Sequence, residues 1–261
     1  MKKKLLAICL VAILVLTAIT GATLAYLTDT DEADNVFTVG NVQIELVEQQ
    51  RQYDEEGNLK GLETFVDDKV LLPIVGSAQG EKDALGLPTA ANYVDKIVTV
   101  KNTGASDAYV RVIVAVPSAL DYPDGPLHWN LGNNYNGATD ATYNAEVAWE
   151  CVLEEVSVNG AGEWNIYTFT YQTAIEGDVE GGKETPFAAI VGFYLDKTVD
   201  NEIDAQGNIT YTYKGNDVDY DLANGVTIPV FAQAVQSAGF SSAEQAFTEA
   251  ELPVNPWASA Q

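Results

Sequence analysis

The chain has 261 residues and carries 38 acidic residues against 13 Lys and Arg, a formal net charge of −25 at neutral pH. This charge argues against a nucleic-acid partner, because phosphate backbones are bound by clusters of Lys and Arg. Two cysteines exclude a disulfide-rich scaffold, and a hydrophobic content of 47% is enough to bury the core of one large domain or two small ones.

The first 25 residues have the pattern of a secretory signal peptide. Lys2–Lys4 form a basic start, Leu5–Ile19 is an uninterrupted run of apolar residues and Thr, and small residues dominate Gly21–Ala25. The apolar run is short for a membrane span, and small residues precede the predicted cleavage between Ala25 and Tyr26. We therefore expect a secreted protein without membrane attachment; an uncleaved N-terminal anchor is the alternative.

Cleavage at this position would change both the charge and the cysteine count. The removed segment holds three Lys and no acidic residue, which leaves 10 basic residues against 38 acidic ones, a net charge of −28. Such a charge keeps monomers apart and makes self-association depend on salt, pH or divalent cations. Cys9 is removed as well, so Cys151 remains alone and no internal disulfide can form.

From residue 36 onward, apolar and polar residues alternate with the period of two that predicts β-strands. About eight segments are rich in Val, Ile, Thr and aromatic residues: 42–46, 93–101, 109–116, 147–153, 164–173, 187–195, 209–213 and 226–235. Turns that contain Asn-Gly and Gly-Gly lie between them and predict mainly antiparallel pairing. Residues 49–90, with a hairpin tip over Tyr53–Asn58, are interpreted as an elaborated connection rather than a second domain.

One helix is predicted near the C-terminus. Ser241–Glu244 offers an N-cap with Glu three residues later, and an apolar face follows at Ala243, Ala246, Phe247 and Ala250. The predicted fold class is therefore all-β: a jelly-roll-like antiparallel β-sandwich over residues 41–261 with a short C-terminal helix, preceded by a signal-peptide helix.

Several segments resemble a known family. They are Gly21–Asp29 and Asn35–Leu46 near the N-terminus, Lys96–Gly104 and Ala108–Val112 in the middle, and Ala234–Phe240 near the end. The two N-terminal segments resemble the start of the TasA and camelysin family, whose signal peptides are processed by the dedicated signal peptidase SipW. The middle and C-terminal segments are similar to the wider group of SipW-cognate proteins.

The resemblance implies a route and a role for the protein. It implies export by the general secretory pathway, cleavage by a SipW-type signal peptidase and a jelly-roll-like domain. For the TasA branch it also implies assembly into extracellular biofilm-matrix or cell-surface fibres. The expected partners are further copies of the same chain and possible other matrix proteins.

In related fibres an N-terminal segment of one subunit completes the sheet of the next, and residues 26–40 are the candidate here. This segment begins with acidic residues at Asp29–Asp34 and becomes strand-like at Val36, Phe37 and Val39. A donated strand satisfies the backbone of an open sheet edge while alternate side chains enter the partner. The alternative is that these residues pair within their own domain, since both uses need the same strand pattern.

The chain is predicted not to be an enzyme, although camelysin has been described as a metallopeptidase. A zinc peptidase of the common kind needs two His one helical turn apart with a Glu beside them, and His128 is the only His. His128 follows a turn-rich loop and is interpreted as an ordinary loop residue, because no Gly-x-Ser-x-Gly motif supplies a nucleophile for it. Cys151 falls on the apolar side of its strand, where burial would raise the pKa of the thiol.

No cofactor is expected, but one acidic cluster is a calcium candidate. Asp217, Asp219 and Asp221 have the first half of a calcium-loop spacing. The loop lacks Gly at its sixth position (Leu222) and Glu at its twelfth (Ile228). Solvated acidic loops are the alternative.

Aromatic residues alternate along one segment at Tyr167, Phe169 and Tyr171, with further Trp residues elsewhere. They are interpreted as core packing, since alternation places the three rings on one face of a strand; a sugar-binding platform is the alternative. Three functional classes remain: a matrix or surface-fibre subunit, a secreted module that binds glycan or host protein, and a hydrolase. The N-terminal segments favour the first.

Overall fold

A computed structural model describes residues 42–67, 69–121, 124–130, 148–157, 163–203, 209–222 and 225–259. The predicted signal peptide, its cleavage position at Ala25 and Tyr26, and the candidate donor residues Val36, Phe37 and Val39 lie outside these ranges.

The described residues form thirteen strands and little helix. The strands are β1 (Ile44–Tyr53), β2 (Leu59–Thr64), β3 (Val94–Asn102), β4 (Ala108–Pro117), β5 (Leu127–Trp129), β6 (Trp149–Ser157), β7 (Glu163–Tyr171), β8 (Lys183–Glu184), β9 (Ile190–Leu195), β10 (Asp200–Ile203), β11 (Ile209–Tyr213), β12 (Asn216–Asp217) and β13 (Val230–Gln236). One α-helix, α1 (Ala243–Glu249), and a 3-10 turn, Pro256–Ser259, follow β13.

The strands belong to three sheets. The first has the order β2-β1-β3-β9-β5 with β8 also paired to β3, the second has the order β13-β4-β7-β6, and a small third sheet consists of β10-β11-β12. All pairings between these strands are antiparallel. The prediction of an all-β antiparallel sandwich with a short C-terminal helix is confirmed.

The chain crosses repeatedly between the two large sheets. β3, β5 and β9 lie in the first sheet, whereas β4, β7 and β13 lie in the second. Such crossings are expected of a double-sheet roll. The chain does not cross at every step, however, because β1, β2 and β3 share the first sheet and β6 and β7 share the second. The full jelly-roll connectivity therefore remains a prediction.

The main core lies between the two large sheets. The inner face of β4 presents Val110, Val112, Val114 and Val116, all with no exposed surface, to a cluster that includes Val98 of β3. The outward residues of β4 are also buried, because the C-terminal segment covers that face: Ile113 and Ala115 belong to a cluster against which Trp257 packs. β4 is therefore apolar on both faces, as expected of a strand buried from both sides.

The outer face of the first sheet is covered by part of the 49–90 segment. Ile74 and Ala78 of this segment pack with Tyr93 and Tyr194, and Leu87 packs with residues of β3 and β9. The predicted hairpin tip at Tyr53–Asn58 is confirmed, since β1 and β2 pair on either side of it. The Asp54 side chain accepts hydrogen bonds from the backbone N–H groups of Glu56 and Asn58, which stabilises the turn.

The predicted helix is confirmed as well. The N-cap lies one residue later than the Ser241–Glu244 pattern predicts: the Ser242 hydroxyl accepts a hydrogen bond from the Gln245 backbone N–H at 3.2 Å. Ala243, Ala246 and Phe247 form the buried side of α1. Ala246 and Phe247 pack with Val235 of β13, so α1 covers part of the outer face of the second sheet.

Candidate functional site

The first candidate site is the outer edge of β6, which we call the β6 edge. β6 has nine residues and stands at the end of the second sheet, where it pairs with β7 over its whole length. Within the described ranges no strand pairs with its other side. A long edge strand with unpaired backbone groups is a template for the addition of another strand.

The register shows which backbone groups point outward. The Gln172 N–H donates to the Ala148 carbonyl at 2.8 Å, so this pair of residues occupies a hydrogen-bonded position of the ladder. Because such pairs alternate along an antiparallel ladder, Glu150 bonds to β7, while Trp149, Cys151 and Leu153 direct their backbone groups away from it. Among the described strands, none takes up these outward groups.

The side chains of β6 fix one end of the strand. Trp149 is buried, packs on Tyr171 with ring centres 4.9 Å apart, and donates its indole N–H to the Phe187 carbonyl at 3.0 Å. Cys151 packs against the core, and burial raises the pKa of its thiol, as the sequence predicts. Leu153 is 36% exposed. The exposure of these side chains therefore increases along β6 from Trp149 to Leu153.

The second candidate site is a cleft of about 430 Å³ between α1 and the outer face of β6 and β7, which we call the acidic cleft. Its carboxylates come from Glu150 on β6 and from Glu244 and Glu251 on and after α1. Hydroxyl groups come from Thr168 and Thr170 on β7. The remaining lining residues are Arg111, Phe247, Thr248, Leu252 and Val254.

Arg111 lines the acidic cleft and joins the sheet to the C-terminal segment. Its guanidinium group donates to the Gln233 side chain at 2.7 Å and to the carbonyls of Leu252 and Pro253 at 3.0 and 3.2 Å. It also lies over the Phe247 ring, 4.5 Å from the ring centre. These contacts hold the α1 side of the cleft at a defined distance from the sheet.

A buried carboxylate with three hydrogen-bond donors lies inside the core, and the sequence does not predict it. Asp121 is 3% exposed and accepts hydrogen bonds from the Asn165 amide at 2.6 Å, from the Trp129 indole at 3.4 Å, and from the Tyr167 hydroxyl. Burial and the Asp121 carboxylate raise the pKa of Tyr167, so its phenol stays protonated and donates. The donors lie eight to 46 residues away in the sequence, a separation that no local pattern reveals.

The structure does not gather the calcium candidates into a site. Asp217 ends β12, and Asp217, Asp219 and Asp221 are all exposed. Within the described part of the chain, no three His, Cys, Asp or Glu side chains are placed to hold a metal ion. The physical reason is that the segment starts as a strand and lacks the Gly that would curl it around an ion.

His128 lies on β5 and not in a loop, which corrects the prediction for this residue. The residue is 7% exposed, its ring stacks on Tyr194 with centres 5.2 Å apart, and its Nε2 is 3.4 Å from the Asp196 carboxylate. Burial acts to raise the pKa of Asp196. Hydrogen bonds from Thr198, together with the electrostatic effect of the nearby His128, have the larger effect and lower that pKa. Burial and Asp196 raise the pKa of Tyr194 to about 12.

The aromatic stripe lies in the core. Tyr167 and Phe169 are at most 1% exposed, and both rings make edge contacts with Trp129. Tyr171 is 8% exposed. The core-packing interpretation is confirmed for these three rings, and none of the three can serve as a sugar platform, because a platform needs solvent on one face of each ring.

Comparisons of the chain with protein-family models, with curated proteins and with solved structures found no match. Among the helices that the structure describes, none combines the length and the apolar character needed to cross a membrane.

Proposed function

We propose that this protein is an exported structural subunit that polymerises into matrix or cell-surface fibres of the TasA type by adding a strand to the β6 edge. The observation that carries the proposal is a nine-residue edge strand paired on one side only within the described residues. The resemblance of Gly21–Asp29 and Asn35–Leu46 to the TasA and camelysin family supports the same function.

The proposed donor is the segment 26–40 of a second copy, released when a SipW-type signal peptidase cleaves between Ala25 and Tyr26. By strand alternation, Phe37 and Val39 share one face, and Val36 lies on the other. Placed beside β6, Phe37 and Val39 would extend the apolar face that Cys151 and Leu153 begin. The proposal gives the protein no catalytic role; other matrix proteins are further proposed partners.

The first test blocks the β6 edge without disturbing the β6–β7 ladder. In the chain that begins at Tyr26, Leu153→Pro removes an N–H that points away from β7, and Pro is tolerated at edge positions of this kind. We expect a folded monomer by circular dichroism, with fibre growth by light scattering about tenfold slower or absent. Leu153→Val keeps the N–H and should assemble normally. Undiminished fibre growth by a folded Leu153→Pro variant would refute addition at β6.

The second test removes the donor and leaves β6 untouched. A chain that lacks residues 26–40 should remain folded and monomeric, because the described core begins at Val42 and would keep its contacts. Negative-stain microscopy should show fibres only for the chain that begins at Tyr26. Equal fibre formation by both forms would exclude the donor strand. Absence of fibres from both forms across pH and salt would reject the fibre function and favour a binding module.

A further inference from the structure

The acidic cleft is lined by a residue with a buried hydroxyl group that lacks a hydrogen-bond partner among the described residues. Thr168 is 6% exposed, and within the described part of the chain its buried Oγ1 atom makes no hydrogen bond. Buried hydroxyl groups are normally hydrogen-bonded, because leaving one unsatisfied costs free energy. An unsatisfied hydroxyl in the wall of an open cleft is a position where a ligand can supply the missing bond.

The charges around this hydroxyl favour a cationic ligand. Glu150, Glu244 and Glu251 outnumber the single cation of the lining, Arg111, which donates hydrogen bonds to the neutral groups of Gln233, Leu252 and Pro253. Glu150 accepts one side-chain hydrogen bond, from Gln172 at 3.3 Å. The three carboxylates are not close enough together to form a metal site within the described residues. The cleft therefore suits a longer ligand with its charge at one end.

The remaining lining indicates the shape of that ligand. Phe247, Leu252 and Val254 provide apolar surface, and Thr170 and Thr248 provide further hydroxyl groups. An aliphatic stem can lie on the apolar surface while its ammonium group donates hydrogen bonds to hydroxyl and carboxylate oxygens. A lysine side chain has this composition: a flexible four-carbon stem and three donors on a compact cation.

Glu251 occupies a backbone position that normally favours another residue. It follows the C-cap of α1 with a φ of +53°, in the left-handed region where Gly or Asn is the usual choice. A Glu at this position places a carboxylate at the cleft at some cost in backbone strain. The strained backbone conformation is consistent with a functional role of the Glu251 side chain, but by itself it does not indicate a ligand.

We propose that the acidic cleft binds a lysine side chain of an extended partner polypeptide. The partner is not the 26–40 segment of a second copy, because that segment has no Lys or Arg and begins with Asp29–Asp34, which the cleft would repel. The cleft is thus a docking position for a basic partner, separate from the proposed self-assembly at the β6 edge.

The experiment uses the chain that begins at Tyr26, with Leu153→Pro to keep it monomeric, and a five-residue peptide with a single central lysine. Binding is followed by the amide NMR signals of β7 and α1. We expect shifts centred on Thr168 and Glu251, and an affinity that falls about tenfold when norleucine replaces the lysine, because norleucine keeps the stem and lacks the ammonium. Shifts spread over the whole acidic surface, or equal binding of the norleucine peptide, would overturn the proposal.

Thr168→Val distinguishes a structural role of the hydroxyl from a role in binding, because the substitution should not lower the melting temperature of the free protein but should lower its affinity for the peptide. The substitution removes the unsatisfied hydroxyl and keeps the shape, so the melting temperature of the free protein should stay level or rise. Peptide affinity should fall several-fold. Glu251→Gln should lower affinity about tenfold, whereas Glu202→Gln, an exposed carboxylate on β10, should leave it unchanged. Unchanged affinity in Thr168→Val, or equal losses in the two Gln variants, would refute the site.

Discussion

At the scale of single residues, Asp121 is the clearest case of a polar group that the core must accommodate. It lies among Trp129, Tyr167 and Asn165, and each of these side chains donates a hydrogen bond to its carboxylate. A buried carboxylate without donors would be strongly destabilising, so the network satisfies a group that the surrounding apolar residues cannot. The three donors come from β5 and β7, so the network also links the two large sheets.

We predict that Tyr167→Phe lowers the free energy of unfolding by about 1–3 kcal/mol, because it removes one donor from the buried Asp121 carboxylate. Tyr171→Phe is the matched control, since Tyr171 lies on the same face of β7 and loses the same atom. Urea denaturation followed by fluorescence measures both. Equal losses in the two variants would mean that the bond to Asp121 adds nothing specific to stability.

At the scale of elements, Arg51 of β1 fastens the covering segment to the first sheet. Its guanidinium group donates to Asp95 on β3 at 2.7 and 2.8 Å, to Asp83 at 2.8 Å, and to the Pro88 carbonyl at 2.8 Å. Arg51 side-chain exposure is 6%, and each carboxylate is 11% exposed, so solvent screens the pairs weakly. One side chain therefore connects two strands of the sheet to the loop that covers it.

We predict that Arg51→Gln destabilises the protein by about 3–5 kcal/mol, because it leaves two largely buried carboxylates without their cation. Lys60→Gln removes the same charge from an exposed position on β2 and should change stability by less than about 0.5 kcal/mol. Urea denaturation at neutral pH measures both variants. A loss below about 1 kcal/mol for Arg51→Gln would contradict a structural role for the cluster.

The same cluster predicts a dependence of stability on pH. Burial acts to raise the pKa of Asp83, but hydrogen bonds from Arg51 and from the backbone N–H groups of Leu85 and Leu87 outweigh it, so the pKa lies below its usual value. Stabilisation from a lowered carboxyl pKa is complete above the unfolded-state value near 4 and is lost as pH falls through the lower folded-state value. Asp83→Asn should therefore lose less stability than the unmodified protein between about pH 5 and pH 3. Parallel pH profiles from urea denaturation would contradict this assignment.

At the scale of the whole molecule, charge opposes any self-association. The chain that begins at Tyr26 carries 10 basic and 38 acidic residues, a net charge of −28, so subunits repel one another at neutral pH and low salt. Strand addition gains backbone hydrogen bonds and apolar contacts only after this repulsion is reduced.

We predict that polymerisation accelerates as pH falls toward about 4, where carboxylates become protonated, or as salt rises above about 0.1 M, where screening acts within roughly 10 Å. Light scattering over a grid of pH and salt, with negative-stain microscopy of each end point, measures this. The form that lacks residues 26–40 serves as the control and should remain monomeric throughout. Assembly that is fastest at low salt and neutral pH would show that charge repulsion does not limit it.

The sequence by itself determined the features that depend on near neighbours. Alternation with a period of two located β4, β7 and β9, and the capping pattern at Ser241–Glu244 located the start of α1 to within one residue of its N-cap, Ser242. The Asp54 turn was found in the same way, because its hydrogen bonds join residues two to four apart. Such features depend on backbone preferences and on the residues next in the chain, and both are written directly in the sequence.

Only the tertiary structure decided which residues far apart in the chain meet. Arg51 pairs with carboxylates 32 and 44 residues away, and Asp121 receives a hydrogen bond from a residue 46 positions away. The order of strands decided that β6 ends a sheet, and the packing of α1 on the outer face of that sheet decided that Glu244 and Glu251 share a cleft with Thr168. Among 38 acidic residues no local pattern distinguishes these few, because their partners are chosen by the pairing of strands and not by their neighbours in the chain.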